Sequence, residues 1–78
     1  MTKKLEDYLS SPIKKHSVKI AGHQTSITME QEFWDQLKIS AEEQNIPLSQ
    51  LITDIDELRT TGLSSACRMY ILHRLIEK

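Results

Sequence analysis

Hydrophobic and polar residues alternate along residues 24–29, which read Gln-Thr-Ser-Ile-Thr-Met. Gln24, Ser26 and Thr28 form the polar set, and the residues between them form the less polar set. Successive side chains of a strand point to opposite faces, so this period of two predicts one short β-strand with a packed face and an open polar face. The open face carries no charge that would oppose pairing, and we therefore expect two identical strands to lie side by side as a ribbon.

The stretch before this strand is predicted to be extended as well. Val18 and Ile20 alternate with polar neighbours and are followed by Gly22. The glycine either turns the chain, so that this stretch forms a local hairpin with residues 24–29, or lies within a longer strand. The sequence leaves both alternatives open.

The chain is expected to divide into two parts near residue 16. Residues 1–16 are expected to form a flexible basic arm or a short helix, since a helix over residues 2–9 would be too short to be stable without docking. Residues 17–78 are expected to form one folded domain.

Three helices are predicted after the strand, over about residues 30–44, 50–60 and 65–77, from the spacing of their apolar positions. Ser49 is expected to cap the second helix, and Gly62 is expected to end it in a left-handed conformation. The middle of the third helix is apolar around much of its circumference, which a surface helix does not need. We therefore expect that helix to be buried between two subunits, in a fold that is mainly α with one short strand.

The length of the chain favours association. Seventy-eight residues make one small domain, and a chain of this size buries only about 60% of its unfolded surface, which favours obligate dimerisation. No apolar run is long enough to span a membrane, and the N-terminus has no signal-peptide pattern. The single cysteine cannot form an internal disulfide, so the cytoplasm is the expected location.

Charge is divided unevenly along the chain, although the net charge is −1. Residues 1–28 carry five lysines against two acidic residues, whereas residues 29–78 carry five basic against nine acidic residues. The predicted ribbon lies in the basic part, so a dimer would present two basic segments to a phosphate backbone. A two-stranded ribbon fits the DNA major groove, in which Gln can address adenine and Ser or Thr can address any base.

The sequence carries no signature of catalysis or of metal binding. Gly22 and Gly62 are the only glycines, so there is no glycine-rich phosphate loop. The three histidines do not have metal-ligand spacing with Cys67. We therefore expect a non-enzymatic protein with no metal and no cofactor.

The order of strand, helix, turn and helix resembles the ribbon-helix-helix DNA-binding proteins, the fold of the Met and Arc repressors. The resemblance is carried by residues 17–26, 30–34 and 63–68, and the similarity runs from about residue 17 to residue 75. These segments are similar to a bacterial subgroup of ribbon-helix-helix domain proteins. That subgroup often has arginine where this chain has Gln24, which implies a base preference shifted from guanine towards adenine.

The resemblance implies an intertwined homodimer with an intermolecular antiparallel two-stranded ribbon and the third helix as an addition. In this fold the start of the second helix holds a DNA phosphate, and nearby lysines are expected to contact others. The residues expected to contact bases are Gln24, Ser26 and Thr28. Those expected to contact phosphates are Ser49, Gln50, Lys14, Lys15 and Lys19. Those expected in the dimer core are Ile27, Met29, Phe33, Trp34, Leu37, Leu51, Ile55, Met69 and Leu72.

Two classes of function remain. The first is a dimeric, sequence-specific transcriptional regulator, a repressor that occupies double-stranded DNA, with dimers pairing on adjacent sites. The alternative is a protein-interaction module or an antitoxin-like protein that binds a partner through the acidic helical face or the third helix. The open ribbon face discriminates between the two classes, because only the regulator needs Gln24, Ser26 and Thr28.

Overall fold

The computed structural model describes residues 2–77, and within this range the chain forms two β-strands and four α-helices. In chain order the elements are α1 (Leu5–Leu9), β1 (Ile13–Ile20), β2 (His23–Glu30), α2 (Gln31–Glu43), α3 (Leu48–Leu58) and α4 (Leu63–Ile76). Met1 and Lys78, the outer ends of the two predicted parts, lie outside the described residues.

β1 and β2 form an antiparallel hairpin within one chain. Its register pairs Ile20 with His23 beside the turn. The two linking residues have positive φ angles, 51° at Ala21 and 82° at Gly22, as in the type I′ turns whose twist matches that of the flanking strands. The expectation of one short strand is therefore wrong, because Gly22 permits a turn that brings the preceding residues back along β2. Of the two alternatives that the sequence leaves open, the local hairpin is the one formed.

The hairpin includes residues from the range assigned to the N-terminal arm. β1 begins at Ile13, so residues 14–16 belong to a strand, and α1 ahead of it is a five-residue helix with no buried residue. The link between them is held at the open end of the hairpin, where the N–H of Gln31 donates to the carbonyl of Pro12 at 2.9 Å. The Ser11 hydroxyl donates to the carboxylate of Glu32 at 2.5 Å, and this hydrogen bond lowers the pKa of the Glu32 carboxyl.

The helices α2, α3 and α4 lie near the three predicted helices, but two of their ends differ from the expectation. α3 begins at Leu48 with Pro47 as its N-cap, so Ser49 lies in the first turn and is not the cap. Proline suits a helix start because it has no N–H to leave unpaired. Gly62 is extended, with a φ of −59°, and is the N-cap of α4. The expected left-handed stop at Gly62 is therefore wrong, because the chain already leaves α3 through the extended Arg59.

The core lies between one face of the hairpin and the layer of α2, α3 and α4. α3 packs on β1, whereas α2 and α4 pack on β2. The buried apolar residues are Val18, Ile20, Ile27, Met29, Leu37, Ala41, Leu51, Ile52, Cys67 and Ile71. Every element except α1 contributes to this core, so the helices determine which face of the hairpin is covered.

A polar cluster joins α2 to α4. The hydroxyl of buried Ser40 lies 2.6 Å from the hydroxyl of Tyr70, and the side-chain Nε2 of Gln44 donates to both, at 3.0 Å and 2.8 Å. An ion pair between Arg74 and Glu43, with 3.2 Å between nitrogen and oxygen, lies beside it. Because a buried hydroxyl requires a partner, this cluster favours the same rotation of α4 that buries its apolar side.

Candidate nucleic-acid interface

One face of the hairpin is polar along both strands. The residue pairs across it are Lys15 with Thr28, Ser17 with Ser26, and Lys19 with Gln24, and all six are exposed. Directly opposed residues of an antiparallel pair share a face, with Cβ atoms about 4.5–5.5 Å apart. The three residues predicted to contact bases are therefore brought together with two of the predicted lysines. We call these six residues the polar face.

The opposite face of the hairpin is packed on the helices. Its apolar side chains, each at most 8% exposed, are Val18, Ile20, Ile27 and Met29. His16 lies on the same side and stacks on Trp34 of α2, with ring centroids 3.9 Å apart and planes within 6° of parallel. A shift of one residue in a strand exchanges its two faces, so this burial keeps the polar face directed outwards.

The three lysines predicted to contact phosphates lie on different sides of the hairpin. Lys15 and Lys19 belong to the polar face, whereas Lys14 pairs with Met29 and so belongs to the other side, where it remains exposed. The six residues of the polar face include two amines and no carboxylate, which makes this part of the hairpin locally positive. The next pair on the same side is Ile13 with Glu30, and the Glu30 carboxylate lies 3.6 Å from Arg68 of α4. Ser17 completes this face but is absent from the predicted set. Its alternation with Val18 is the signal in the sequence, and that signal becomes specific only when the hairpin register is known.

The predicted phosphate site at the start of α3 is also exposed. Ser49 and Gln50 lie in the first turn. Pro47 has no N–H, and the N–H of Gln50 already donates to the Pro47 carbonyl at 3.0 Å. The remaining N–H groups of this helix start belong to Leu48 and Ser49, at the positive end of the helix dipole. The side-chain amide of Gln50 donates to Asp54 at 2.8 Å, so that amide already has a partner in the free chain.

The residues predicted for a dimer core differ in exposure. Buried within one chain are Ile27, Met29, Leu37 and Leu51. Partly buried against that core are Phe33, Trp34 and Ile55. Met69 and Leu72 of α4, by contrast, are 49% and 47% exposed. Within this set, α4 therefore has the most apolar surface left for a second molecule to cover.

Residues that suit other chemistry are buried or scattered. Burial, followed by the negative charge of Asp56, raises the pKa of the Cys67 thiol to about 11, which makes it a poor nucleophile at neutral pH. Among residues 2–77, no three His, Cys, Asp or Glu side chains are grouped so that they could hold a metal ion. None of the described helices is both long and apolar enough to cross a membrane.

Comparisons with known proteins agree with this arrangement of strands and helices. Residues 13–75 match the family model described as "Ribbon-helix-helix domain". Among solved structures, an uncharacterized protein from Bordetella pertussis Tohama I is similar with a TM-score of 0.75 and 24% sequence identity, over 95% of this chain and 70% of that chain. At this identity the likeness shows the fold alone. The comparison with curated proteins finds no match.

Proposed function

The chain belongs to the ribbon-helix-helix domain family, whose members generally bind DNA and dimerise, and from this premise we propose that it is a dimeric, sequence-specific repressor of transcription. The β2 part of the polar face enters the major groove and occupies promoter DNA. The observation that carries the proposal is the combination, on one exposed face, of neutral hydrogen-bonding groups on β2 with lysines on β1. We expect the protein to act in the bacterial cytoplasm, where the DNA is.

The spacing of the β2 side chains suits base readout. Gln24, Ser26 and Thr28 are two residues apart in sequence, which separates them by about 6.8 Å along a strand. Base pairs follow one another at about 3.4 Å, so successive side chains of this row reach alternate base pairs. Gln24 can bind adenine through its N6 and N7 atoms, whereas the two hydroxyl groups accept either hydrogen-bond polarity.

The lysines of β1 suit phosphate contacts beside those bases. Lys19 lies opposite Gln24 and Lys15 lies opposite Thr28. Each lysine therefore lies on the strand next to the side chains proposed to read the bases. Contacts of this kind position a protein on DNA without reading sequence. Ser49 and the positive start of α3 supply a further phosphate site.

The proposed dimer is joined at the free edge of β2. Within residues 2–77 the sheet has two strands, so each strand has one edge without a strand partner. Pairing β1 with a second β1 would bring Lys15 and Lys19 of both copies together, which is unfavourable between neighbouring strands. Pairing β2 with a second β2 brings together only neutral side chains of the polar face.

In such a four-stranded sheet, only the central pair of β2 strands is narrow enough to enter the major groove. The two central β2 strands lie about 4.8 Å apart, and the two outer β1 strands lie about 14 Å apart. The major groove is about 12 Å wide. The base-reading rows then lie over the bases, and the lysines lie near the phosphates at the two walls of the groove.

A protein-interaction role is the second candidate, and the exposed apolar side chains of α4 favour it. Met69 and Leu72 are about half exposed, which a DNA contact does not require. An adaptor or antitoxin-like protein would bind its partner there and would not depend on Gln24, Ser26 and Thr28.

The proposed function is tested by selecting duplexes from a randomised pool and measuring their binding by fluorescence anisotropy. We expect selective binding that is lost when Gln24, Ser26 and Thr28 are all changed to Ala. The matched control is Glu42→Ala, an exposed position on α2, which should bind as the unchanged protein does. Circular dichroism and solution mass should be the same for all three proteins, so that a loss of binding reports readout.

Two outcomes would contradict the proposal. A pool that yields no sequence preferred over unrelated DNA would exclude a sequence-specific regulator. Selective binding that survives in the triple variant would exclude readout by the polar face.

A further inference from the structure

We propose that the outward side of α4 is a helix–helix seam that packs against the α4 of a second copy of this chain. The inference rests on the dimer of the proposed function and names a second surface through which the two copies are held. The residues of the seam are Ser65, Met69, Leu72 and Ile76.

The spacing of these residues is that of a helix pair. They follow one another at intervals of four, three and four residues. Alternating intervals of three and four place side chains along one seam of a helix, as in the a and d positions of a coiled coil. In a two-fold symmetric contact the same surface of each subunit packs against its copy. A seam of this spacing can therefore pack against the identical seam of a second chain.

The apolar residues of the seam are only partly covered by the described chain. Met69, Leu72 and Ile76 are 49%, 47% and 69% exposed. On the inner side of the same helix, Cys67 and Ile71 are only 1% and 2% exposed. α4 is therefore apolar on two sides, and its own chain uses one of them.

A groove beside the seam offers a place for a side chain of the second copy. It lies between the end of α3 and α4, has a volume of about 510 Å³, and is lined by Ile55, Leu58 and Met69, among others. Leu58 on its rim is 83% exposed. In packed helices a side chain of one helix enters a hole formed by side chains of the other. A large apolar residue of the second α4 fits this groove.

The charges around the seam favour a second copy over an acidic partner. Each of the two arginines of α4 forms an ion pair within its own chain. Arg68 lies 3.6 Å from a carboxylate oxygen of Glu30, and Arg74 lies 3.2 Å from one of Glu43. Two such helices can therefore approach without bringing together unpaired arginines, whereas an acidic partner would have to compete with Glu30 and Glu43 for them.

The size of the seam indicates that it acts together with another contact. Met69, Leu72 and Ile76 form the apolar part of the seam, a patch of at most a few hundred Å², which is the size range of many interaction sites. A specific protein interface covers about 800 Å² on each partner. The seam alone is smaller than that, so we expect it to supplement the pairing at the edge of β2.

Disulfide cross-linking without DNA tests the seam directly. Met69→Cys, Leu72→Cys and Ile76→Cys are made one at a time, and each protein is oxidised under mild conditions and analysed on a non-reducing gel. A disulfide requires Cα atoms within about 7 Å, so at least one variant should form covalent dimers if two α4 helices pack along the seam. The controls are the unchanged protein, whose Cys67 is buried, and Glu42→Cys, which is exposed but lies on α2.

A second variant measures the contribution of the seam to association. Leu72→Glu places a charge in the seam, and sedimentation equilibrium should show a weaker association, by tenfold or more, with unchanged circular dichroism. Failure of all three cysteine variants to cross-link above the controls would overturn the proposal, as would unchanged association in Leu72→Glu. The Ala variant of Gln24, Ser26 and Thr28 should cross-link normally when it also carries Leu72→Cys. Loss of DNA binding and loss of the seam can therefore be told apart.

Discussion

The polar face of the hairpin and the outward side of α4 are both exposed, but they differ in how favourably their side chains interact with water. The polar face carries lysine, glutamine, serine and threonine, whose groups are fully hydrogen-bonded in water. The α4 side carries Met69, Leu72 and Ile76, and the transfer of such apolar side chains out of water lowers the free energy of the system. Exposure alone therefore does not identify a binding surface. The chemistry of the surface indicates the class of partner, here a phosphate backbone with base edges for one surface and an apolar protein surface for the other.

The two surfaces also depend on different kinds of support. The hairpin presents its polar face because the other face is buried, and a period of two makes the faces strictly alternate. The orientation of α4 depends on contacts distant in sequence, namely the burial of Cys67 and Ile71 and the hydrogen bonds among Ser40, Gln44 and Tyr70. The first surface is therefore encoded locally, and the second depends on the packing of helices.

The largest effect on stability is expected from truncating a side chain on the packed face of β2 rather than one on its polar face. Ile27→Ala removes a side chain that is 0% exposed and should lower the free energy of unfolding by about 2–5 kcal/mol. Thr28→Ala, at the next position on the polar face, should change it by less than about 0.5 kcal/mol. Urea unfolding followed by circular dichroism measures both. Equal losses would mean that the two faces are not distinguished by burial.

A smaller effect is expected from the lysines of the polar face. Changing Lys15 and Lys19 together to Gln should reduce the slope of log affinity against log salt concentration by about 0.9 for each phosphate that is no longer neutralised. Lys14→Gln is the matched control, because Lys14 is adjacent in sequence but belongs to the other side of the hairpin. Anisotropy titrations at several salt concentrations measure the slopes. A slope that falls as much in the control would mean that the side of the hairpin does not matter.

The inner side of α4 should respond to alkaline pH, unlike the exposed seam. The pKa of the Cys67 thiol is raised from its ordinary value of 9.0 to about 11, so the folded chain disfavours the thiolate. The contribution to stability is fully present below pH 9 and is lost as the pH rises towards 11. Unfolding in urea across this range should show the decline in the unchanged protein. Cys67→Ala should not show this component, and an identical decline in both proteins would contradict the assignment.

The smallest effect is expected at the hairpin turn. Ala21 has a φ of 51°, a conformation that costs an alanine about 1–2 kcal/mol, whereas Asn is among the residues preferred there. Ala21→Asn should therefore raise the free energy of unfolding by about 0.5–1 kcal/mol. Gly22→Ala is the opposing control. A Cβ at Gly22 would meet nothing within 4 Å, so any loss of stability reflects its φ of 82°. Thermal unfolding measures both, and a destabilising Ala21→Asn would contradict the turn assignment.

Much of the candidate site could be predicted from the alternation of residues 24–29, because the side of a strand on which a residue lies is a local property. Gln24, Ser26 and Thr28 are all exposed, and Ile27 and Met29 are buried. The position of Lys14 relative to Lys15 could not be predicted, because it depends on whether residues 14–16 belong to a strand at all. The predicted stop at Gly62 failed for a similar reason, since a glycine permits several conformations and its neighbours in space select one.

The two faces of β2, the approximate extents of three helices and the excess of apolar residues on α4 follow from the amino-acid sequence alone, because each is a periodicity within one segment. The folded chain was needed to establish that β2 pairs with β1 of its own chain, that Lys15 and Lys19 stand opposite Thr28 and Gln24, and that Met69 and Leu72 face outwards. These outcomes depend on contacts between segments, which a periodicity permits but does not choose. Register and helix rotation are selected by the burial that the whole fold achieves.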